Sequence, residues 1–260
     1  MTLDPAFLRL PLAHRGLHDA AAGVMENSRA AFAAAMAAGY GIECDVQLTA
    51  DGRAVVFHDY DLGRLTGVPG AVRGRTAAEL AGLRLMGTDE GVPDLAEVLA
   101  LVAGRVPLLI EIKDQDGAMG PDVGPLERAV AAALAGYAGP VAVMSFNPHA
   151  VAAFGATAPG VARGLTTSAY RPGDWGPLPP ARGAELRGIP DYDRSGACFI
   201  AHEAADLGRP RVATLKRAGA AVLCWTVRSA EAEAEARTVA QNVIFEGYRA
   251  DIPAGARATP

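Results

Sequence analysis

Eight short apolar runs, separated by segments with helical patterning, recur through this 260-residue sequence. They lie near residues 10, 42, 109, 143, 164, 199, 223 and 244. Strands that alternate with helices at this spacing are typical of α/β folds with a mostly parallel sheet. Eight such units in a chain of this length favour a (β/α)8 barrel, and no G-x-G-x-x-G motif follows the first run to suggest a dinucleotide-binding sheet. We therefore expect one barrel domain over residues 1–260.

Residues 41–59, GIECDVQLTADGRAVVFHD, depart from this alternation. They predict two strands joined at Asp51-Gly52, a dipeptide that is favoured in two-residue hairpin turns. Counting outward from such a turn places Asp45 opposite His58. The sequence thus predicts a β-hairpin arm on the barrel that carries His58 back towards the acidic residues of the first strand.

Glu43 and Asp45 lie two residues apart in this first strand, so both carboxylates should face the same side. A lone Glu-x-Asp on a strand is more often a solvated face. Here the apolar neighbours Ile42 and Cys44 predict burial, and buried carboxylates are costly unless a cation or hydrogen bonds compensate them. With His58 nearby, we interpret the stretch as part of a site for a hard divalent cation with a proton-transfer group.

Further polar residues follow other apolar runs at the point where each run ends. His14 and Arg15 follow the first run, and Glu111 and Lys113 alternate at the end of the third. On a barrel these ends converge on one mouth. Three carboxylates can hold one divalent cation, Arg15 and Lys113 can neutralise a phosphate, and two histidines can act as acid and base. Together these groups suit displacement at a phosphodiester.

Composition excludes several other functions. The net charge of −5 and the pI near 5.6 give no basic surface for nucleic acid. No apolar run approaches the length that spans a bilayer, and the first residues lack the pattern of a secretory signal. Cys44, Cys198 and Cys224 are widely spaced and odd in number, which favours reduced thiols. We expect a cytoplasmic protein without stable membrane insertion that acts on a small-molecule phosphodiester.

Seven motifs give the sequence a family resemblance that covers nearly the whole chain in order. They are LAHRG at 12–16, EN at 26–27, ECDVQLTADG at 43–52, VVFHD at 55–59, LLIEIK at 108–113, SFNP at 145–148 and CWTV at 224–227. In this combination the chain resembles the glycerophosphodiester phosphodiesterase family. The resemblance implies a distorted TIM barrel that hydrolyses glycerophosphodiesters to glycerol 3-phosphate and an alcohol, using Mg²⁺ or Ca²⁺.

The resemblance also implies a role for each matched residue. His14 and His58 match the general acid/base pair, which would act through a cyclic phosphate. The implied metal ligands are Glu43, Asp45 and Glu111, and the implied substrate contacts are Arg15 and Lys113 for the phosphate and Trp225 for the glycerol. We expect Asn27 to cap the following helix and to be available to the phosphate as well.

The chain departs from the family pattern at two positions. Glu246 stands where a Thr-Asp pair usually precedes a proline, and Arg228 stands where the WTV motif usually continues with asparagine. Both residues would change the charge at the pocket mouth, so the sequence does not determine which alcohol head group the substrate carries. Two alternatives also stay open: a phosphodiesterase for lysophospholipid or phosphoinositide-type substrates, and a non-catalytic barrel that binds phosphate ligands.

The proline-rich stretch 171–196 predicts a long loop that forms a lid or a wall of the pocket, with Trp175 and Leu178 as candidate apolar contacts. His202 ends a strand and is equally compatible with the mouth and with a structural role. His18 and His149 are interpreted as surface residues.

Overall fold

The computed structural model describes residues 1–255 except 172, 174 and 177, and within them nine strands form one sheet. The strands are β1 (Leu12–Ala13), β2 (Gly41–Leu48), β3 (Ala54–Val56), β4 (Leu108–Ile112), β5 (Val141–Ser145), β6 (Ala162–Thr167), β7 (Phe199–Glu203), β8 (Ala221–Val227) and β9 (Asn242–Phe245). All except β3 pair in parallel, and β1 pairs with both β2 and β9, which closes the ring. The predicted (β/α)8 TIM barrel is therefore confirmed.

The barrel is irregular at its closure. β1 contains only two residues, and the register of β8 with β9 shifts between Cys224 and Val227. Because β1 is so short, the edge of β2 beyond Ile42 is left for the antiparallel strand β3. The hairpin arm thus extends a barrel strand.

The predicted register of this hairpin is wrong by one residue. Val46 pairs with Val56, so Asp45 lies beside Phe57, whose N–H donates to the Asp45 carbonyl at 3.0 Å, instead of beside His58. Of the two turn residues, Gly52 alone has a positive φ (77°), whereas the two-residue turn that we predicted requires positive φ at both. The chain instead makes a three-residue loop that ends in a left-handed glycine, which moves the partner strand along by one residue.

Helix α1 precedes the first strand, and the other helices of the described residues follow strands on the outside of the barrel. They are α1 (Ala6–Arg9), α2 (Arg29–Ala38), α3 (Gly63–Thr66), α4 (Ala77–Ala81), α5 (Leu95–Val102), α6 (Pro125–Ala133), α7 (Pro148–Thr157), α8 (Pro180–Leu186), α9 (Pro210–Arg217) and α10 (Ala230–Ala236). Helix α2 begins after Ser28, whose hydroxyl accepts from the Ala31 N–H, and ends at Gly39, which has a left-handed conformation.

The stretch 171–196 is only partly the long loop that we predicted, because it contains α8. The prolines of this stretch led us to predict a loop. Pro180 instead occupies the first turn of the helix, where the N–H that proline lacks would have no partner within the helix. Pro172 and Pro177 lie outside the described residues. In the described part, Trp175 and Leu178 pack with Met119 and Tyr170 beside the barrel mouth.

Side chains alternate along each barrel strand between an outer and an inner face. Outward residues such as Ile42 and Ile110 pack against the helices, and Phe7 of α1 packs against the inner layer. The inner layer is apolar and consists of Leu12, Leu109, Ala142, Met144, Phe199, Ala201, Leu223 and Ile244. Complete burial of each larger side chain stabilises the fold by roughly 1.5–3 kcal/mol. This layer fills the interior of the barrel. The next inward-facing positions along several strands carry polar residues.

Among the described residues, no helix is both long enough and apolar enough to span a membrane.

Candidate active site

The candidate site lies one layer above the apolar filling of the barrel. His14 follows Leu12 by two residues, Glu111 follows Leu109, and Trp225 follows Leu223, so each points to the same side as its inner-layer neighbour. Together they border a cavity of about 360 Å³. Of the residues predicted for the site, this cavity is lined by His14, Arg15, Glu43, Asp45, His58, Glu111, Lys113 and Trp225. The structure therefore brings together eight of the nine, and Asn27 lies behind them.

Glu43, Asp45 and Glu111 form a compact carboxylate cluster. One oxygen of each lies within 4.8 Å of the others, and the three residues are only 1%, 1% and 6% exposed. Two oxygens that share one Ca²⁺ at about 2.4 Å can be at most about 4.8 Å apart. The cluster thus has the donor type and the dimensions to hold one hard divalent cation.

Positive side chains compensate part of this negative charge. The Lys113 Nζ lies 2.7 Å from Glu111 Oε1 and 3.2 Å from Asp45 Oδ1, and the Arg15 Nε lies 3.4 Å from Asp45 Oδ2. Burial alone would raise the pKa of Asp45, but the charges of Lys113, His58 and Arg15 hold that pKa far below its usual range.

The negative charge of Glu43 is compensated less than that of Asp45. Burial, with the charges of Asp45 and Glu111, raises the pKa of Glu43 well above its usual value, against the Arg15 N–H that donates to Glu43 Oε2 at 3.0 Å. The cluster without a bound ion thus holds more carboxylates than neighbouring cations, and a divalent ion would remove this imbalance.

Asn27 does not cap α2 as we predicted, because Ser28 takes that position. The Asn27 side chain instead donates from Nδ2 to Asp45 Oδ2 at 2.9 Å and accepts from the Asp45 N–H at 3.3 Å. Asn27 is 1% exposed and has a positive φ of 55°. Its amide therefore fixes the orientation of a cluster carboxylate, and a contact between Asn27 and substrate stays a prediction.

His14 is held through one ring nitrogen. Its Nδ1 lies 2.6 Å from Glu246 Oε2. Burial lowers the pKa of His14, and the hydrogen bond with Glu246 offsets part of this effect. The same bond lowers the pKa of Glu246 to about 2. The exposed Arg228 lies 3.4 Å from the same oxygen.

His58 is held in the same way, although by a neighbour in sequence. Its Nδ1 lies 2.7 Å from Asp59 Oδ1, and the Gln47 side chain donates to the carbonyls of His58 and Asp59 at 3.0 and 3.2 Å. Arg64 in turn donates to both Asp59 oxygens, at 2.6 and 3.1 Å. Both histidines therefore present Nε2 as the ring nitrogen not engaged by a carboxylate.

Arg15 and Arg64 share a carboxylate. Arg15 Nη1 donates to Glu26 Oε1 at 2.7 Å, and Arg64 donates to both Glu26 oxygens at 2.8 Å. Arg64 thus joins the group that orients His58 to the group that orients Arg15. Such shared networks restrict the motion of their members more than isolated pairs do.

Four of these supporting residues were not predicted from the sequence to act at the site, namely Glu26, Gln47, Asp59 and Arg64. Glu246 was predicted only to change the charge at the pocket mouth. Its contact with His14 agrees with its position two residues after the inner-layer residue Ile244, as His14 follows Leu12. Glu26 and Asp59 were noticed only as part of motifs.

The remaining histidines lie outside the cavity. His202 is fully buried, bonds Thr167 Oγ1 at 2.8 Å and contacts Asp206, which favours its structural alternative. His18 and His149 are both half-buried.

Comparison with known proteins gives a consistent result. The model of the glycerophosphoryl diester phosphodiesterase family matches residues 14–245. A glycerophosphodiester phosphodiesterase of Caldanaerobacter subterraneus subsp. tengcongensis is 42% identical over 112 residues, 40% of this chain and 45% of the relative. One of Bacillus altitudinis is 40% identical over 108 residues, 39% of this chain and 43% of the relative. The matched region thus spans less than half the length of these relatives.

Solved structures match over more of the chain. An Oleispira antarctica phosphodiesterase, solved in complex with the product sn-glycerol-3-phosphate, has 25% identity and a TM-score of 0.73, covering 91% of this chain and 93% of its own. A Thermotoga maritima glycerophosphodiester phosphodiesterase, at 24% identity, has a TM-score of 0.66 and covers 90% of this chain and 92% of its own, a likeness of fold.

Proposed function

The chain belongs to the glycerophosphoryl diester phosphodiesterase family, and we propose that it hydrolyses glycerophosphodiesters to glycerol 3-phosphate and an alcohol with the help of one divalent cation. The observation that carries this proposal is the meeting of three buried carboxylates and two carboxylate-bound histidines around one cavity of about 360 Å³. A module that only binds phosphate needs the charges, but it does not need a pair of oriented proton-transfer groups.

Glu43, Asp45 and Glu111 would hold the cation, Mg²⁺ or Ca²⁺. When bound, it would neutralise charge on the phosphate oxygens and favour deprotonation of an attacking hydroxyl. Lys113 and Arg15, which already lie beside Asp45, would contribute fixed positive charge to the phosphate as negative charge develops on it.

The two histidines would move the protons. Burial lowers the pKa of His14 and so favours its neutral form, whose Nε2 is suited to accept the proton of a glycerol hydroxyl. The oxygen of that hydroxyl would attack phosphorus, and His58 would protonate the departing alcohol oxygen. The product of this step is a cyclic glycerophosphate. Water would open the ring in the second step, with the two histidines in exchanged roles.

Glu246 and Asp59 would support this exchange. Each accepts the Nδ1–H of its histidine, which fixes the tautomer and leaves Nε2 for the substrate. Each carboxylate also stabilises the protonated imidazole that forms during one of the two steps.

The test is the release of glycerol 3-phosphate from glycerophosphocholine, measured with a coupled enzyme in the presence of Mg²⁺ or Ca²⁺. His14→Ala and His58→Ala should each lower kcat by about 10²–10⁴-fold, the usual contribution of a positioned acid or base. His149→Ala is the matched control, because His149 lies at the start of α7 and does not line the cavity. Near-wild-type turnover by His14→Ala would show the histidine assignment to be wrong.

Phosphorus NMR during turnover provides a second test. A resonance of cyclic glycerophosphate that appears before glycerol 3-phosphate supports the two-step route. The absence of any cyclic species throughout turnover, even in rapid-quench samples, would favour direct attack by water.

A further inference from the structure

A second groove, lined by both apolar and charged side chains, opens directly from the catalytic cavity. We call it the aromatic groove and define it by Met119, Phe146, Trp175, Leu178 and Trp225, which line it. Its volume is about 790 Å³, against about 360 Å³ for the catalytic cavity. The two spaces share walls, namely His58, Glu111, Lys113, Phe146, Glu203 and Trp225. A molecule that binds its phosphate in the cavity can therefore extend into the groove without leaving the site.

Aromatic rings form one continuous wall of the groove. The Phe146 ring centroid lies 4.7 Å from that of Trp175 and 5.3 Å from that of Trp225, both in edge-on contact. The Trp225 indole N–H donates to the Ala201 carbonyl at 3.0 Å, so its polar atom is already satisfied. The wall therefore offers apolar faces to a ligand.

The acidic residues around the groove are already engaged by protein donors. Asp59 binds His58 and Arg64, and Asp114 accepts from Asn147 Nδ2 at 2.7 Å. Glu203 accepts from the Ala169 N–H at 2.9 Å and from Arg171. These partners reduce the field available to attract a small cationic head group into the groove.

Resting on the function proposed above, we propose that the substrate is a glycerophosphodiester with a single long apolar chain, and that this chain lies in the aromatic groove. A volume of about 790 Å³ is near the upper end of the range of about 300–1,000 Å³ that holds drug-sized ligands. It is far more space than a methyl-sized alcohol needs beside the catalytic cavity. The chain can be attached to the glycerol or can be the leaving alcohol, and the two attachments are tested separately.

Intrinsic fluorescence reports on this groove directly, because Trp175 and Trp225 are the two tryptophans of the chain and both line it. Octyl phosphate, titrated below its micellar concentration with Mg²⁺ present, should change the emission at a concentration at least about tenfold lower than methyl phosphate does. Each buried methylene contributes up to about fourfold (about 0.8 kcal/mol). Trp175→Glu should abolish the advantage of octyl phosphate, and Trp175→Phe should keep it.

Met86→Glu is the matched control, since it places the same charge on an apolar residue that is 50% exposed and outside the groove. It should bind octyl phosphate like the wild type. Equal affinity for octyl and methyl phosphate, or an equal loss in the Trp175→Glu and Met86→Glu variants, would overturn the proposal.

Kinetics then identify which end of the substrate carries the chain. One pair compares 1-octanoyl-glycerophosphocholine with glycerophosphocholine, and the other compares glycerophospho-octanol with glycerophosphomethanol. The proposal expects kcat/KM to be at least about tenfold higher for the chain-bearing member of one pair. Equal or lower kcat/KM for both chain-bearing members would contradict it, even with rapid hydrolysis of glycerophosphocholine. If none of the four is hydrolysed, the proposed function fails, and the fluorescence titration still decides whether the groove binds a chain.

Discussion

The Nδ1 atom of His14 lies 2.6 Å from the Oε2 atom of Glu246, although 232 residues separate them in the chain. The contact follows from the closure of the barrel, because the first strand pairs with the last: Ala13 is the register partner of Phe245. His14 and Glu246 are the next residues on these neighbouring strands.

Removing the Glu246 carboxylate tests its effect on His14. In Glu246→Gln we expect kcat/KM to fall by about 10–100-fold, as for other groups that orient a functional histidine. Both the hydrogen bond and the charge of Glu246 raise the pKa of His14, so the variant should have a lower His14 pKa. The limb of the pH–rate profile on which His14 must be unprotonated should therefore shift to lower pH.

Arg228→Gln is the control for this measurement. Arg228 contacts the same Glu246 oxygen at 3.4 Å, but its side chain is 64% exposed, so solvent screens its charge. We therefore expect the limb of the pH–rate profile that reports on His14 to stay close to that of the wild type, whatever the effect on substrate binding, because exposed ion pairs contribute little. An unshifted or upward-shifted limb in Glu246→Gln would contradict the role of the carboxylate.

A substitution at Asn27 tests whether this side chain orients the carboxylate cluster. Asn27→Ala removes the buried donor to Asp45, and we expect the free energy of unfolding to fall by about 1–3 kcal/mol. The affinity for the divalent cation should fall by about 10–100-fold because Asp45 loses its support. Chemical denaturation and calorimetric cation titration measure the two effects.

The neighbouring residue provides the control. Ser28→Ala removes only the cap of α2, so it should cost about 0.5–2 kcal/mol of stability and leave cation affinity unchanged. Equal cation affinities of the Asn27→Ala and Ser28→Ala variants would show that Asn27 acts only on stability.

A substitution at Gly16 tests how much the tight turn after His14 and Arg15 depends on glycine. Its φ is 82°, and a Cβ added there would lie 2.8 Å from the Ala31 Cβ. Gly16→Ala should therefore lose about 1–2 kcal/mol to the left-handed conformation and about 1–3 kcal/mol more to the contact with α2. Urea unfolding gives this value.

Gly52→Ala separates the two causes. Gly52 has nearly the same φ, 77°, but a Cβ there would meet nothing within 4 Å. We expect a loss of only about 1–2 kcal/mol from backbone strain. If both variants lose the same stability, close packing against Ala31 contributes nothing.

The barrel and most of the cavity residues were predictable from the sequence because they depend on periodicity. Strand–helix alternation predicted the closed sheet, and the spacing of two between Glu43 and Asp45 predicted their common face. The same spacing from the inner residue Ile244 accounts for the position of Glu246, which was predicted only to change the charge at the pocket mouth.

Other features depend on local conformation or on long-range contact, which spacing does not determine. The register of the hairpin depends on the backbone conformation of a single residue, Gly52. The helix that begins at Pro180 was not predicted because its prolines are also typical of a loop. Arg64 joins Glu26 to Asp59 across 38 and 5 residues of sequence, and no pattern in the chain indicates that network.

The most direct test is the titration of cation-free protein with Ca²⁺ or Mg²⁺ by calorimetry, for the wild type and for Glu43→Gln. Glu43 is a suitable target because it is buried in the cluster and has the least compensation by neighbouring cations. We predict one site per chain in the wild type, the loss of that site in Glu43→Gln, and a parallel loss of glycerol 3-phosphate release. One-site binding of unchanged affinity in Glu43→Gln, or full turnover of the wild type in excess EDTA, would contradict the account.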